Sequence, residues 1–92
     1  MADILVMKTT GKTAPTVDKG KPDPKKLIKG KYETKTWNHF TGEDDRLYCG
    51  IWESTPGKVP VDYKAWEFCH FIEGEAVLTN DQGKSWRLKA GD

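Results

Sequence analysis

The first 36 residues of this chain contain no arginine and a single aromatic residue, Tyr32. A basic segment without guanidinium forks or stacking rings lacks the groups that usually read nucleic acid, so its lysines are read as a solvated arm or a lid. Cysteine is almost as scarce. Cys49 and Cys69 form neither a CxxC pair nor a Cys/His pair, which excludes a zinc site and a disulfide framework and leaves two buried free thiols as the expectation. No window approaches the roughly 18 apolar residues of a membrane span. The opening Met1-Ala2-Asp3-Ile4-Leu5-Val6-Met7-Lys8 has neither the basic start nor the apolar length of a signal peptide. The expected localisation is therefore cytoplasmic.

What is present is polar, with 36% hydrophobic and 32% charged residues, so a core in a chain of 92 residues has to be small. Ten aromatics, four of them Trp, are the main apolar bulk. Charge is unevenly spread. Residues 1–36 hold nine Lys against Asp3, Asp18, Asp23 and Glu33, a net of +5, and residues 37–92 hold six basic residues against ten acids, a net of −4. The expected organisation is an arm over 1–36 and a folded domain over 37–92.

Ile4-Leu5-Val6-Met7 is a strand-type run suited to a sheet edge, here or on a partner. Gly11, Pro15, Gly20, Pro22, Pro24 and Gly30 then exclude an ordinary helix. One turn fits there, with Asp23 as cap, Pro24 in first position and Gly30 as stop. From Tyr32 to Phe40 the pattern has period two, and Thr41-Gly42-Glu43-Asp44-Asp45 breaks it. Arg46 to Glu53 is apolar on both parities, as in a strand covered on both faces. Pro56-Gly57 reads as the centre of a type II turn. Glu75-Ala76-Val77-Leu78-Thr79, Asn80-Asp81-Gln82-Gly83-Lys84 and Ser85 to Ala90 read as strand, turn and strand, with Trp86 and Leu88 on one side. Short strands at this spacing predict an all-β sandwich or barrel.

Trp66-Glu67-Phe68-Cys69-His70-Phe71-Ile72-Glu73-Gly74-Glu75 gathers an acid, a thiol and an imidazole within four residues. Alternation along a strand places Glu67 with Cys69 and Phe71, and puts His70 on the opposite face with Phe68 and Ile72. His39 obeys no ligand spacing. Glu67 has two open readings. It is a substrate-contacting acid, or a buried carboxylate paired across the barrel with Arg, Lys or Tyr, because an isolated buried charge is costly.

Gly50-Ile51-Trp52-Glu53, Thr55-Pro56-Gly57, the stretch Glu67 to Glu75, Asp81-Gln82-Gly83 and Ala90-Gly91-Asp92 together resemble the cupin superfamily. More narrowly they are similar to small single-domain cupins related to the cupin domains of (S)-ureidoglycine aminohydrolase. The resemblance covers Trp37 to Asp92 and implies a jelly-roll β-barrel and a divalent metal. Its first motif wants two histidines one residue apart, then an acid, then a glycine. Glu67 and Gly74, six residues apart between them, satisfy the end of that motif. The histidine positions hold Val61 and Tyr63, or Pro60 and Asp62 with a shift of one, so the ligand spacing does not support a metal and Glu67 is its sole member. Ala90-Gly91-Asp92 resembles the start of the second motif, whose later residues do not follow. The expected fold is an all-β, cupin-like jelly roll incomplete at the C-terminus, with an irregular Lys-rich N-terminal arm.

Two functions follow. In one, the chain binds a small molecule, or acts as an enzyme on a ureido or amide compound, in a pocket of Trp52, Tyr63, Glu67 and Cys69, with Glu67 raised in pKa by burial if it is a base. In the other, it is a metal-free scaffold for binding or dimerisation. The expected partners are a small-molecule ligand and a second copy in a homodimer, with no nucleic acid and no membrane.

Overall fold

A computed structural model describes residues 4–63 and 65–92. They fall into two units, Met1–Val61 and Asp62–Asp92, and each is taken by itself. The described residues are all-β apart from one 3₁₀ turn at Glu43–Asp45. All strand pairs are antiparallel, and the sheets are not closed into a barrel. Among the described residues no helix is long and apolar enough to cross a membrane.

The first unit is built on β3 (Thr34–Thr41) and β4 (Tyr48–Ser54); the break expected at Thr41–Asp45 runs over 42–47 instead, taking in Arg46 and Leu47, expected in the strand, and there Gly42 N–H donates to the Leu47 carbonyl at 2.7 Å. Asp44 and Asp45 take positive φ in that loop, which short Asx side chains tolerate. In the β3–β4 ladder Trp37 lies opposite Ile51 and Asn38 opposite Gly50, and then the register shifts so that Phe40 faces Cys49. His39 is thus the extra residue of a β-bulge. The Asn38 amide orientation that satisfies both of its ends closes the bulge. Its oxygen accepts from the Thr41 hydroxyl at 2.8 Å, and its nitrogen donates to the carbonyls of Phe40 at 3.0 Å and Cys49 at 3.2 Å. Trp37 is the one buried hydrophobic residue among those described, at 8% exposure.

The segment read as an irregular arm supplies strands. β1 (Asp18–Gly20) adds to the free edge of β3 with Asp18 opposite Thr36 and Gly20 opposite Thr34. A Cβ at Gly20 would stand 2.7 Å from the Thr34 hydroxyl, so the glycine lets this edge close up. β2 (Lys29–Gly30) pairs with β5 (Gly57–Lys58). Between the two ladders Glu33 N–H donates to Thr55 Oγ1 at 2.8 Å and Thr55 N–H to the Glu33 carbonyl at 2.9 Å, so the pairing of 28–34 with 54–58 is nearly continuous. The turn at Asp23 forms, with Asp23 Oδ1 accepting from Lys25 N–H at 3.0 Å and its carbonyl from Lys26 N–H at 2.8 Å, but it ends by Lys26, and Gly30, expected as its stop, lies in β2. Ile4 to Met7 joins no ladder, and Ile4 is 90% exposed.

Pro56-Gly57 corrects the turn reading. Gly57 does not take the positive φ that the third position of a type II turn requires. It is glycine because Tyr32 lies against it, a Cβ there standing 2.7 Å from that of Tyr32. Tyr32 itself has φ 46°, and its ring sits 6.3 Å from that of Trp52, tilted by 49°.

In the second unit β6 (Glu75–Thr79) and β7 (Ser85–Lys89) form the predicted hairpin. Asn80 Oδ1 accepts from the N–H groups of Gln82 and Lys84, each at 3.0 Å, and Gly83 takes φ 82° at the turn. Ala76, Leu78, Trp86 and Leu88 share one face, as the alternation required. The other face carries Glu75, Val77, Arg87 and Lys89, with Arg87 Nη2 3.2 Å from Glu75 Oε2.

The strand expected over 66–73 is not found: none of these residues joins a ladder. Phe71 alone is tied within the unit, donating to the Asp92 carbonyl at 2.7 Å and accepting from Gly91 N–H at 2.8 Å. Strand propensity becomes a strand only where a neighbour completes the ladder.

Gly50→Ala tests the centre of this fold. A Cβ there would be driven into the Trp37 carbonyl oxygen and stand 3.1 Å from Asn38 Cα, backbone atoms that cannot swing away. The expected loss is about 3 kcal/mol, the upper part of the overpacking range, read as a lowered denaturation midpoint with loss of near-ultraviolet tryptophan dichroism. An unchanged midpoint would mean that the Asn38–Gly50 register is not the one formed.

Candidate functional site

Glu67 and Cys69 sit two residues apart on an extended stretch, which is why their side chains emerge on one side. The Cys69 thiol donates to Glu67 Oε1 at 3.5 Å, a sulfur-length hydrogen bond. Partial burial of the sulfur, followed by the hydrogen bond and the negative charge of Glu67, pushes the Cys69 thiol above its ordinary pKa. Each of these effects favours the thiol over the thiolate, the form a nucleophilic sulfur needs. Both residues are exposed in their unit, which corrects two readings. Glu67 is not a buried carboxylate with a cationic partner, and Cys69 is not a buried thiol. Neither side has enough chain packed over it to exclude water.

Their surroundings are apolar and open. Trp66 is 87% exposed, Phe68 79% and Ile72 71%. His70 is exposed and makes no hydrogen bond with Glu67 or Cys69, in keeping with alternation. Tyr63 belongs to the same unit and is also exposed. Trp52 belongs to the first unit, on β4 opposite Thr36 and beside Tyr32, so of the four residues assigned to a pocket the structure joins Glu67 to Cys69.

His39 proves to be a structural residue. Its Nδ1 is 2.9 Å from the Trp37 carbonyl, and its Nε2 lies 2.8 Å from both the N–H and the carbonyl of Lys8. The neutral ring, donating through Nδ1, accepts from Lys8 N–H; the charged ring donates to the Lys8 carbonyl instead. Both nitrogens are engaged in either state, which leaves no lone pair for a metal.

A divalent ion, implied by the cupin resemblance, does not fit these residues. Val61 and Tyr63 stand where the motif wants imidazoles, and among the described residues no three His, Cys, Asp or Glu side chains converge.

Sequence reasoning did not single out a groove of about 520 Å³ in the first unit, lined among others by Lys19, Lys21, Glu33, Lys35 and Glu53. The signal was there in the alternation of Glu33-Thr34-Lys35, which places charges on one face once β1 joins the sheet. Its charges are partly spent on one another, Lys21 with Glu33 at 4.0 Å and Lys35 with Glu53 at 3.9 Å, all well exposed. Pairs of this kind contribute less than about 1 kcal/mol each.

The thiol assignment is testable by alkylation. In a Cys49→Ser background, Cys69 should react with a neutral maleimide at pH 8 more slowly than a free cysteine. Glu67→Gln removes the charge that opposes the thiolate and should speed the reaction. Equal rates in the two proteins would show that Glu67 does not act on the sulfur.

The family model of the EutQ-like cupin domain matches residues 41–92, running from the end of β3 to Asp92 and including the hairpin and the Glu67 stretch. No curated protein and no solved structure matches the chain. With more than half of its length matched, and with antiparallel strands throughout the match, the chain belongs to the EutQ-like cupin domain family, within the cupin superfamily.

Proposed function

We propose that this cupin binds a small ureido or amide compound, without a metal, through the carboxylate of Glu67. The observation behind it is the pair itself, an exposed acid fixed by a thiol and flanked by exposed aromatic residues. A carboxylate has lone pairs to spare after accepting one S–H, and the paired N–H donors of a ureido group match its two oxygens. The aromatic neighbours suit the apolar remainder of such a ligand. Glu67 also occupies the acid position of the cupin motif, at the spacing to Gly74 that the motif wants. The sequence motifs read above as resembling ureidoglycine aminohydrolase cupin domains suggest the same compound class. The reading is one of binding: the surroundings of Cys69 disfavour the thiolate that a nucleophile needs, and Glu67 is exposed to water.

Ureidoacetate is a suitable probe, with acetamide as the simpler amide. The wild-type melting temperature should rise with ureidoacetate, and Glu67→Gln should weaken binding by a factor of ten or more, as loss of a charge-assisted hydrogen bond costs about 1.5–3 kcal/mol. No shift with either compound would overturn the ligand class. Stoichiometric Mn, Fe, Zn or Ni in protein purified without a metal-affinity tag would overturn the metal-free reading.

A further inference from the structure

We propose that the groove at one end of the β1–β3–β4 sheet is a binding site for a hydroxylated phosphate monoester, its phosphate held by Lys19 and Lys35 and its hydroxyl groups by Glu33 and Glu53. The register builds the groove from three consecutive rows across the sheet. Lys19, Lys35 and Glu53 lie side by side in one row, and Gly20, Thr34 and Ser54 in the next. Lys21, Glu33 and Thr55 follow just beyond the strand ends, where Glu33 and Thr55 bond each other's backbone. Side chains alternate between faces, so the first and third rows project on one face and the middle row on the other. The place that a Cβ of Gly20 would take, 2.7 Å from Thr34 Oγ1, puts these two together on that far face. The middle row thus supplies a floor of strand backbone between two charged walls, and the groove over it holds about 520 Å³.

The charges of the groove are not balanced among themselves. Lys19 is the direct cross-strand partner of Lys35, an opposition of like charges that weakens a sheet. Glu53 reaches Lys35 at 3.9 Å and Glu33 reaches Lys21 at 4.0 Å, whereas Lys19 makes no ion pair among the described residues. An anion seated between Lys19 and Lys35 turns their repulsion into a shared contact. A phosphate suits this place, because lysine binds it as a point charge without needing a fixed fork. The two carboxylates decide the rest of the ligand. They repel a second anionic group, which disfavours a nucleic-acid backbone, and they accept hydrogen bonds from hydroxyl groups. Their present ion pairs are long and exposed, so little is lost when a ligand replaces them. A groove of this volume admits a whole small molecule rather than a phosphate alone. The site lies within the first unit and shares no residue with the Glu67 stretch, so it is independent of the binding reading above.

Glucose-6-phosphate is the probe, with inorganic phosphate and glucose as its two halves. Titrated into the isotopically labelled full chain, it should give saturable chemical-shift changes at the amides of Lys19, Gly20, Thr34 and Lys35. Inorganic phosphate should give the same pattern with weaker affinity, and glucose none. Lys19→Gln and Lys35→Gln should each weaken binding about fivefold, the size that one exposed ion pair supports. Lys12→Gln removes the same charge outside the groove and should leave binding unchanged. Groove amides of the wild-type chain that do not respond would overturn the site, and so would a Lys12→Gln protein that loses as much affinity as Lys19→Gln. Inorganic phosphate binding as tightly as glucose-6-phosphate would overturn the ligand class. None of these results bears on ureidoacetate binding.

Discussion

The close approach of Gly50 to the Trp37 carbonyl is the constraint on which the first unit depends. It lets β4 lie against β3 where Asn38 faces Gly50, immediately before the bulge. The bulge in turn throws His39 out of the ladder, where its ring reaches both the Trp37 carbonyl and the backbone of Lys8. One missing Cβ thus permits the register, the register creates the bulge, and the bulge anchors a segment 31 residues away in the chain. Trp37 is buried at this same point, so the one buried hydrophobic side chain among the described residues coincides with the close approach of the two backbones. Glycine elsewhere serves a different end. Gly83 and Gly30 are needed for positive φ, whereas Gly50 and Gly57 are needed because another strand or side chain occupies the space.

The second unit lacks any comparable anchor. A two-stranded hairpin is marginal in water by itself. Its turn is well formed, with Asn80 Oδ1 satisfying two N–H groups, and Lys84 Nζ lies 4.9 Å over the Trp86 ring, but these are local gains. Trp86 remains 43% exposed and Leu78 38%, so the apolar face that alternation produces is not yet a core. Stability of this unit therefore depends on what else lies on the sheet, and its backbone edge is as consequential as its side chains.

Elements set by local chemistry were legible in the sequence. The β6–β7 hairpin follows from alternation around a turn with Asn80 and Gly83, and the single turn at Asp23 from its cap and Pro24. Elements set by remote partners were not. Asp18–Gly20 has no strand signature beyond a small glycine, and it becomes β1 only because the edge of β3 is free. The stretch 66–73 has the strongest strand composition in the chain and joins no ladder, because propensity does not supply a neighbour. Pro56-Gly57 shows the same limit in a turn: the dipeptide fits a type II geometry, and the packing of Tyr32 selects another. In the candidate site, alternation put Glu67 beside Cys69, and their side chains do meet. Burial was beyond it, because exposure depends on what the rest of the chain packs over the pair.

Burial, and after it the hydrogen bond and charge of Glu67, disfavour ionisation of the Cys69 thiol. The same charge makes the thiol a better donor and keeps the carboxylate in place, with one lone pair used and the others turned outward. A cupin acid that elsewhere in its motif would work beside two histidines has here Val61 and Tyr63 at those positions, and a thiol at its side. Replacing basic, lone-pair-bearing neighbours by a thiol changes what the acid is suited to meet. With Val61 and Tyr63 at those positions, the acid has no imidazole beside it in the motif with which to share a cation.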